Sequence, residues 1–565
     1  MSLSGTLQIA GNALAAQQIA LQVIGQNIAN AATPGYSREE AVLAPAPVQR
    51  FGRLTLGLGV HVQGVIQRVD EFLNQRLRRA TSDRIDSEVR EQTWLELEQV
   101  LGELSETDLS TALTRFFGAI NNVLNQPESV SVRAMAVLQG QSLTLQINRL
   151  AQRVGDIRQD LNTRVVNMAV DANRLLEEIA RLNVQIATTE GGAAFRSEAV
   201  GLRDQRNVAL RKLSELIEIQ TQEQASGAVN VFANGDFLVF EGTHRTVTAV
   251  YSPSSGFSAA SLNVAELDAP LGRGTGKLAG LLAARDEILG SFLDKLDAFA
   301  STLAFEFNKL YSRGQGLTGY TQLTSERAVN SAAAPLDAAG LPFLPVSGMF
   351  QVLIHDQQTG VTRTHDVRVE LNGLNSDTTL NDLAARLASI DGLSASVDAE
   401  GRLTISAASA NVAFAFANDT SGLLAALGLN VFFSGTTARD LGVSSVVSSA
   451  PATFAASNTG LGAGTGNAVE LARFPEQALS SADGDTLFTL HDRLNAHVTQ
   501  GASVARAVAE GLRSFEQTLE GQQLATSGVS LDEEAIKLMT HQRAFQAAAR
   551  FVTVIDELLR LLVEL

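Results

Sequence analysis

Two stretches of this sequence hold residue types that could support chemistry, and neither completes a recognised site. Residues 274–279, GTGKLA, fit the glycine pattern of a dinucleotide-binding turn just before a helix. That turn needs a strand directly ahead of it, and no convincing strand is predicted there. A phosphate-binding P-loop needs Ser or Thr after Lys277, and Leu278 occupies that position. We therefore expect no nucleotide site.

The second candidate is a pair of His-Asp dipeptides. His355-Asp356 and His365-Asp366 lie on one predicted hairpin, but a turn near residue 358 places the two imidazoles out of register across the strands. A metal site needs several converging ligands. The HExxH and Gly-x-Ser-x-Gly motifs are absent. So is cysteine, which excludes disulfides, Cys-ligated zinc and thiol nucleophiles. We expect no enzyme activity, no cofactor, and no catalytic, cofactor-binding or metal-ligating residues.

Composition narrows the class of protein further. A chain of 565 residues is too long for one core, so two to four domains are expected. The net charge of -17 argues against a nucleic-acid partner, because phosphate binding needs clustered Lys and Arg. The N-terminus has no positively charged n-region, and Gln and Asn residues between positions 8 and 22 interrupt any apolar core. Neither a signal peptide nor a membrane span is therefore expected.

The N-terminal stretch is predicted to form a helix with one apolar stripe. The stripe has heptad spacing, and its two series are Leu7, Leu14, Leu21 and Ile28, and Leu3, Ala10, the polar Gln17 and Ile24. A 3-4 spacing of this kind requires a partner helix. The helix should end near Asn30, because Pro34 disfavours a helical Thr33 and Gly35 permits a turn. No residue before Arg38 is charged.

The partner helix is predicted at the other end of the chain. Its two heptad series are Leu531, Leu538, Phe545, Val552 and Leu559, and Ala535, Gln542, Ala549 and Asp556. Ser530 and Glu533 fit a capping box, which starts the helix near Leu531. Two such helices suggest a coiled pair that brings the chain ends together. The pattern alone equally fits two amphipathic helices that pack separately on a globular core.

Between the ends, the pattern is mainly helical with β insertions. Apolar spacing predicts long helices over 69–189, 277–311 and 467–526, and a hairpin around Asn234-Gly235. Residues 349–407 follow a β-β-α-β-β order, which is typical of a separate α+β domain. The stripe predicted in the last long helix is Val504, Val508, Leu512, Phe515 and Leu519.

The expected fold class is mainly α with α+β or β insertions. It comprises N- and C-terminal helices that form a coiled pair, a helical-bundle domain and an inserted β-rich outer domain. The predicted boundaries are 1–38 with 528–565 for the terminal coiled-coil domain, 39–330 with 451–527 for the bundle, including a small β part near 228–251, and 331–450 for the inserted domain.

Specific motifs at both ends resemble those of one protein family. Residues 30–36, NAATPGY, resemble the ANxxTPGY signature near the N-terminus of flagellar rod, hook and hook-associated proteins. Residues 527–565 resemble the matching C-terminal signature, with QRAFQA at 542–547. Phe545 stands where many relatives carry Tyr. The stretches LRDQR at 202–206 and GKLAGLLAARD at 276–286 are similar to those of the hook-associated members.

The resemblance implies a structural protein of the flagellum, exported without a cleaved signal peptide through the flagellar type III channel. Such a protein forms an adaptor ring at the distal end of the hook, where its terminal helices fold between subunits and join hook to filament. The implied partners are copies of itself, the hook protein, the second junction protein (hook-associated protein 3) and an export chaperone before secretion. The alternatives are another axial subunit, from the hook or distal rod, and a secreted adhesin or effector.

The same resemblance places the assembly interface on the chain ends. The residues expected to form it are Leu7, Leu14, Leu21, Ile24, Ile28, Asn30, Thr33, Pro34, Gly35, Tyr36, Leu531, Leu538, Phe545, Val552 and Leu559.

Overall fold

The computed structural model of the protein describes residues 3–51, 54–102, 108–191, 199–254, 257–272, 274–374 and 377–564. Within these residues the α-helices are α1 Leu3–Ala29, α2 Glu71–Gly102, α3 Leu109–Asn125, α4 Val130–Glu190, α5 Val200–Leu216, α6 Lys277–Ala283, α7 Ser291–Tyr311, α8 Leu380–Ala388, α9 Leu423–Leu427, α10 Ser445–Ser449, α11 Gly466–Arg473, α12 Leu487–Ser527 and α13 Leu531–Glu564. A π-helical segment, Ala284–Gly290, joins α6 to α7, and short 3-10 turns occupy Pro451–Thr453, Phe474–Glu476 and Ser480–Ala482.

The strands are short and pair antiparallel. Their bounds are β1 Glu39–Pro45, β2 Val48–Phe51, β3 Leu54–Gly57, β4 Val60–Gln67, β5 Gln220–Glu223, β6 Val229–Ala233, β7 Asp236–Phe240, β8 Thr243–His244, β9 Val247–Ser254, β10 Phe257–Val264, β11 Ala269–Pro270, β12 Gln322–Thr324, β13 Gly348–Asp356, β14 Thr362–Val369, β15 Leu393–Val397, β16 Leu403–Ala407, β17 Val412–Ala417, β18 Phe433–Ser434 and β19 Gly442–Val443. The predicted fold class, mainly α with β insertions, is confirmed.

The chain divides into two compact units. The first contains residues 1–93, 159–287 and 503–565, and the second contains residues 94–158 and 288–502. These units group the chain by its internal contacts. The division into three domains by sequence pattern stays a prediction.

The first unit combines helices with small sheets. Its sheets are β1-β4, β2-β3, the four-stranded β5-β6-β7-β8 and the three-stranded β11-β10-β9. The hairpin predicted around Asn234-Gly235 is confirmed, because these two residues form the β6–β7 turn with φ of 52° and 92°. The β9–β10 hairpin was not predicted beyond residue 251. Close helix packing is possible where α6 carries Gly280, since a Cβ there would lie 2.9 Å from the carbonyl oxygen of Asp86 on α2.

Two large apolar clusters lie among the described residues of the second unit. One is a cluster of aromatic rings from α3, α7 and residues 432–433, in which Phe116, Phe307, Phe432 and Phe433 have centroids 4.8 to 5.6 Å apart. The other lies between α8 and the sheets β14-β13-β17 and β12-β16-β15. The β-β-α-β-β order predicted for residues 349–407 is confirmed, but its strands belong to two sheets, because the unpredicted β17 pairs with β13.

The predictions for the last long helices hold only in part. The run predicted over 467–526 is interrupted between α11 and α12 by Pro475 and by left-handed backbone at Asp483 and Gly484. Of the stripe predicted in α12, Leu519 is buried in a small core with Leu73, Leu77 and Ala80 of α2, whereas Val504, Val508 and Phe515 are exposed.

Beside Leu519, the buried face of α12 in the first unit also uses small and charged residues. Ala509 and Glu516 point inward, and the Glu516 carboxylate accepts hydrogen bonds from Thr81 and Arg84 of α2. At this position the ionic contact of Glu516 takes the place predicted for Phe515.

Candidate assembly interface

The two ends of the chain pack together as an antiparallel helix pair, which is one of the two arrangements that the sequence pattern allows, although the pattern did not predict the direction. Near the start of α13, the Glu534 carboxylate accepts a hydrogen bond from the Asn27 amide at 3.0 Å. Farther along, Gln17 and His541 are hydrogen-bonded at 2.6 Å. Residue numbers fall along α1 as they rise along α13, so the helices run in opposite directions.

The face that α1 turns inward is displaced from the predicted stripe. Its buried residues are Ala10, Ala16, Ala20, Val23, Ile24 and Asn27. Leu14 and Leu21 are half-buried, Leu7 and Ile28 are exposed, and the side chain of Leu3 lies outside the described residues. Small alanines let neighbouring elements approach α1 closely, so its buried face uses the residues beside the leucine series. The series with Ala10, Gln17 and Ile24 was placed correctly, and the leucine series was placed one residue too far along.

On α13 the first predicted series was placed correctly and the second was not. Leu538, Phe545, Val552 and Leu559 are half-buried, whereas Leu531 is exposed. The second inward series is Glu534, His541, Ala548 and Ile555, each one residue before the predicted Ala535, Gln542, Ala549 and Asp556. Heptad spacing is compatible with either register of the second series. The polar contacts of Glu534 with Asn27 and of His541 with Gln17 select the observed register.

An additional apolar stripe on α13 is left uncovered within the chain. Phe551, Val554, Leu558 and Leu561 recur at spacings of three and four residues and are each about half exposed, from 45% to 58%. They lie one or two residues from the inward series, so the sequence pattern merged two stripes into one. A helix with two apolar faces requires a second partner.

The signature loop after α1 is held by its own polar side chains. Asn30 donates from its side chain to the carbonyl oxygen of Gln26 at 3.0 Å, which satisfies one of the free carbonyls at the end of α1. The Thr33 hydroxyl donates to the Asn30 side chain at 3.2 Å, and Tyr36 N–H donates to the Thr33 carbonyl at 3.2 Å. Pro34 is exposed at the tip of this turn.

Gly35 is required in this loop for two reasons. Its φ is 82°, in the region that favours glycine, and a Cβ at this position would lie 2.6 Å from a methyl group of Val208 on α5. The glycine therefore lets the loop approach α5 closely.

Asn27, which sequence reasoning did not select, connects the terminal helices to the loop. Its side-chain oxygen accepts from the Tyr36 hydroxyl at 2.8 Å and from Glu39 N–H at 2.9 Å. Its amide donates to the Glu39 carbonyl at 2.9 Å and to Glu534. Burial, followed by the nearby carboxylates, raises the pKa of Tyr36 well above its usual range, so this hydroxyl stays protonated. The register predicted for α1 places Ile28 and not Asn27 at the core position, so the sequence pattern carries no signal for Asn27.

The start of α13 is fixed by charge as well as by its cap. Glu533 N–H faces the Ser530 hydroxyl at 3.4 Å, which is one half of the predicted capping box. The Glu533 carboxylate accepts from Arg38 at 2.9 Å, and the fully buried Glu534 pairs with Lys537 at 2.9 Å and Arg38 at 3.6 Å. Arg38, the first charged residue of the chain, thus ties the signature loop to α13.

The LRDQR stretch supplies two arginines at the start of α5, of which Arg203 is half-buried and Arg206 is buried. Arg203 forms a two-pronged ion pair with Glu190 at 2.8 and 2.9 Å and a further pair with Glu223 at 2.9 Å. Arg206 is buried and donates to the Asn183 side chain at 3.1 Å. These arginines hold α5 against α4 and its sheet.

Between these arginines, Asp204 faces the signature loop. Ser37 and Gln67 donate hydrogen bonds to its carboxylate, but burial is the dominant effect and raises its pKa to about 6. Asp204 therefore connects α5 to the residue that follows the signature.

The GKLAGLLAARD stretch ends in the π-helical segment. Arg285 is buried there and donates to the Asn162 side chain at 2.8 Å and to the carbonyl oxygen of Ala260, and it pairs with Asp286 at 2.6 Å. Arg285 therefore connects α4 to β10 and positions these two elements relative to each other.

The candidate metal ligands singled out in the sequence do not converge in the described part of the chain. No group of three or more His, Cys, Asp or Glu residues within the described ranges is arranged to hold a metal ion. The prediction that the two histidines are out of register is confirmed, because His355 pairs with Thr362 and His365 pairs with Val352. Within the same ranges, every helix is too short or too polar to cross a bilayer.

Comparison with known protein families supports a relationship along most of the chain. A model of the flagellar hook-associated protein FlgK helical domain matches residues 94–324. A flagella basal body rod protein model matches residues 7–36, and a flagellar basal body rod FlgEFG protein C-terminal model matches residues 520–565. The two rod-type matches coincide with α1 plus its loop and with α13.

Individual relatives agree with these matches. Flagellar hook-associated protein 1 of Salmonella typhimurium is 28% identical over 326 residues, which are 56% of this chain and 58% of that protein. The Bacillus subtilis protein of the same name is 28% identical over 240 residues, 41% of this chain and 46% of that one. The chain thus spans about half the length of these curated relatives. Among solved structures, the flagellar hook junction protein FlgK from Burkholderia pseudomallei matches with a TM-score of 0.52 at 15% identity, over 80% of this chain and 100% of that chain, which establishes a shared fold.

Proposed function

We propose that this chain is a flagellar hook-associated protein, a structural component of the flagellum, and that it forms the adaptor ring that joins hook to filament. In this proposal it acts outside the cell at the distal end of the hook and performs no catalysis. Copies of itself, the hook protein and hook-associated protein 3 are its neighbours in the axis, and an export chaperone binds it before secretion.

The observation that carries this proposal is the apolar surface left over on the terminal helix pair. The pair buries an alanine-rich face of α1, while the stripe of Phe551, Val554, Leu558 and Leu561 and the side chains of Leu7 and Ile28 remain exposed. Burying one such side chain is worth about 1.5–3 kcal/mol. Neighbouring copies that cover this stripe would supply free energy that a lone pair of helices lacks.

The expected assembly residues fall into two roles under this proposal. Ile24, Leu538, Phe545 and Val552 stabilise the pair within one copy, and Leu7, Ile28 and Leu531 contact other copies. Asn30 to Tyr36 set the angle at which the pair leaves the rest of the first unit. The terminal pair lies nearest the axis of the ring, the helical bundle surrounds it, and residues 331–450 form the outermost domain.

The ordering of the terminal helices belongs to the same proposal. A two-helix pair that leaves apolar stripes in water is only marginally stable, since ordering each residue costs about 1–2 kcal/mol of backbone entropy. We expect the docked pair to open readily in the monomer and to become permanently ordered on incorporation, where neighbours exclude water from the stripes.

Two rival functions are less well supported. A hook or distal rod subunit shares the end motifs, but the helical-domain match over residues 94–324 is to a hook-associated protein. A secreted adhesin that binds membranes through its ends would need Lys and Arg on the polar face of its amphipathic helices. α1 carries no charged residue.

Complementation in the source bacterium tests the proposal. Deletion of the gene should leave hooks without filaments in electron micrographs; loss of the hook itself would instead indicate a hook or rod subunit. Leu558→Asp should fail to restore filaments. Val361→Asp, at an equally exposed apolar residue of the second unit, serves as the matched control and should restore them. Normal filaments with Leu558→Asp would contradict the role given to the α13 stripe.

A further inference from the structure

The joint between the terminal helix pair and α5 contains two carboxyl groups that lack a cationic partner. Within the described residues, neither Glu39 nor Asp204 forms an ion pair. The neighbouring Glu534 does so with Lys537, and Glu40 does so with Arg68 at 2.6 Å. Glu39 is 7% exposed. Buried carboxylates are normally paired or hydrogen-bonded, because an isolated charge loses its hydration.

The surroundings of Asp204 are acidic or neutral on the side of the signature loop. Tyr36 and Glu39 are the titratable groups that face it from the loop and β1, and Ser37 and Gln67 are its neutral donors. One of its two carboxylate oxygens, Oδ1, is buried without a hydrogen-bond partner.

The cations nearest to Asp204 along the chain have other partners. On α5, Arg203 is engaged by Glu190 and Glu223, and Arg206 by Asn183. In the loop, Arg38 is engaged by Glu533 and Glu534. The unpartnered Oδ1 of Asp204 can therefore carry a proton, and these cations are not available to pair with the ionised carboxylate.

We propose that this joint is a proton-operated clasp, in which neutral Asp204 holds the signature loop and the terminal helix pair against α5 and ionised Asp204 releases them. The clasp rests on the proposed function, because it makes attachment of the assembling ends responsive to pH. Glu39, the second unpaired carboxyl group, reinforces the effect because ionisation of both would place two like charges beside Tyr36.

The sign of the effect follows from the pKa of Asp204, which burial raises from 3.8 to about 6. The docked loop binds the proton more tightly than the released loop, where the carboxyl group has its ordinary value. Docking is therefore fully favoured below about pH 4 and weakens as pH rises through about 6. A shift of about two pKa units lowers the docking equilibrium by up to about a hundredfold, of which more than tenfold falls between about pH 4.5 and 7.5.

The full chain in its monomeric form allows a direct test. It has no native cysteine, so Gln22→Cys places a single spin label on the exposed face of α1. The urea concentration that mobilises this label is measured at pH 4.5 and 7.5, in the parent and with Asp204→Asn. A second label at Val361→Cys checks that the second unit stays folded. We expect the parent midpoint to fall at pH 7.5, by an amount that corresponds to more than a tenfold weaker docking equilibrium.

Two substitutions test whether Asp204 is the group responsible for the pH dependence. Asp204→Asn should keep the high midpoint at both pH values, and Asp171→Asn, at an exposed carboxyl of α4, should behave like the parent. An equal fall in the parent and in Asp204→Asn would overturn the clasp, as would the absence of any fall in the parent. Because only monomer is measured, such a result leaves the ring-forming function standing, and failed complementation by Leu558→Asp does not depend on the clasp.

Discussion

Replacing Asn27 with Ala should loosen both terminal helices although the substitution lies in only one of them. The buried amide makes four hydrogen bonds, to the Tyr36 hydroxyl, both backbone groups of Glu39 and the Glu534 carboxylate. Its removal leaves these groups facing one another in a site that water enters poorly.

The size of the effect can be worked from those bonds. Each contributes about 0.5–1.5 kcal/mol net, which gives about 2–6 kcal/mol for the set. Glu534 still pairs with Lys537 at 2.9 Å in this variant. Loss of its hydrogen bond to Asn27 should therefore cost an amount at the low end of that range. We therefore expect the free energy that keeps α1 docked to fall by about 3 kcal/mol, which is about a hundredfold in the opening equilibrium.

Hydrogen exchange on the monomer measures this change. Amides of residues 20–26 and 535–545 keep their own helical hydrogen bonds in Asn27→Ala, so faster exchange there reports opening of the pair. The matched control is Asn30→Ala, which removes a helix-end contact at the rim of the loop and should change these rates by less than about threefold. Rates in Asn27→Ala within that same range would refute the role assigned to Asn27.

Four further substitutions test other parts of the structure. Leu21→Asp should leave the second unit folded, as judged by the fluorescence of Trp94, but should block junction assembly; filaments on such a mutant would contradict the role of α1. Gly35→Ala should lower the free energy of unfolding by about 1–3 kcal/mol in urea titrations, since its Cβ meets a valine methyl group and its φ is positive. Gly11→Ala lies in the middle of α1, where a Cβ meets nothing within 4 Å, and should raise the free energy of unfolding by up to about 1 kcal/mol. A change of the same sign in Gly35→Ala and Gly11→Ala would refute this reasoning. Phe307→Ala, in the aromatic core of the second unit, should lower the urea midpoint of the Trp94 signal by the equivalent of about 3–5 kcal/mol, and a loss under 1 kcal/mol would show that this core is not tightly packed.

Much of the architecture could be predicted because its signals are local. The turn residues Asn234-Gly235 fix a hairpin through positive φ, and the 3-4 spacing along residues 150–186 forms the buried face of α4. The capping Ser530 marks the start of α13. In each case one residue type or one period has a single favourable structural outcome.

The helix faces were harder to predict, because heptad spacing does not say which of two adjacent residues points inward. On α1 the choice depends on Asn27 and Gln17, whose partners lie more than 500 positions away. On α12 the face that points inward depends partly on Glu516, which forms an ion pair with Arg84. Such long-range polar pairing is invisible in a single sequence.

The most direct test of the central claim uses the uncovered stripe of α13. Leu558→Cys introduces the only thiol of the chain, and its labelling rate is compared between the monomer and purified hook–filament junctions, with Val361→Cys as the control at an exposed residue of the second unit. We predict rapid labelling of both positions in the monomer, and protection of position 558 alone after assembly. Equally rapid labelling of position 558 in the assembled junction would show that neighbouring copies do not cover the stripe, and would contradict the account.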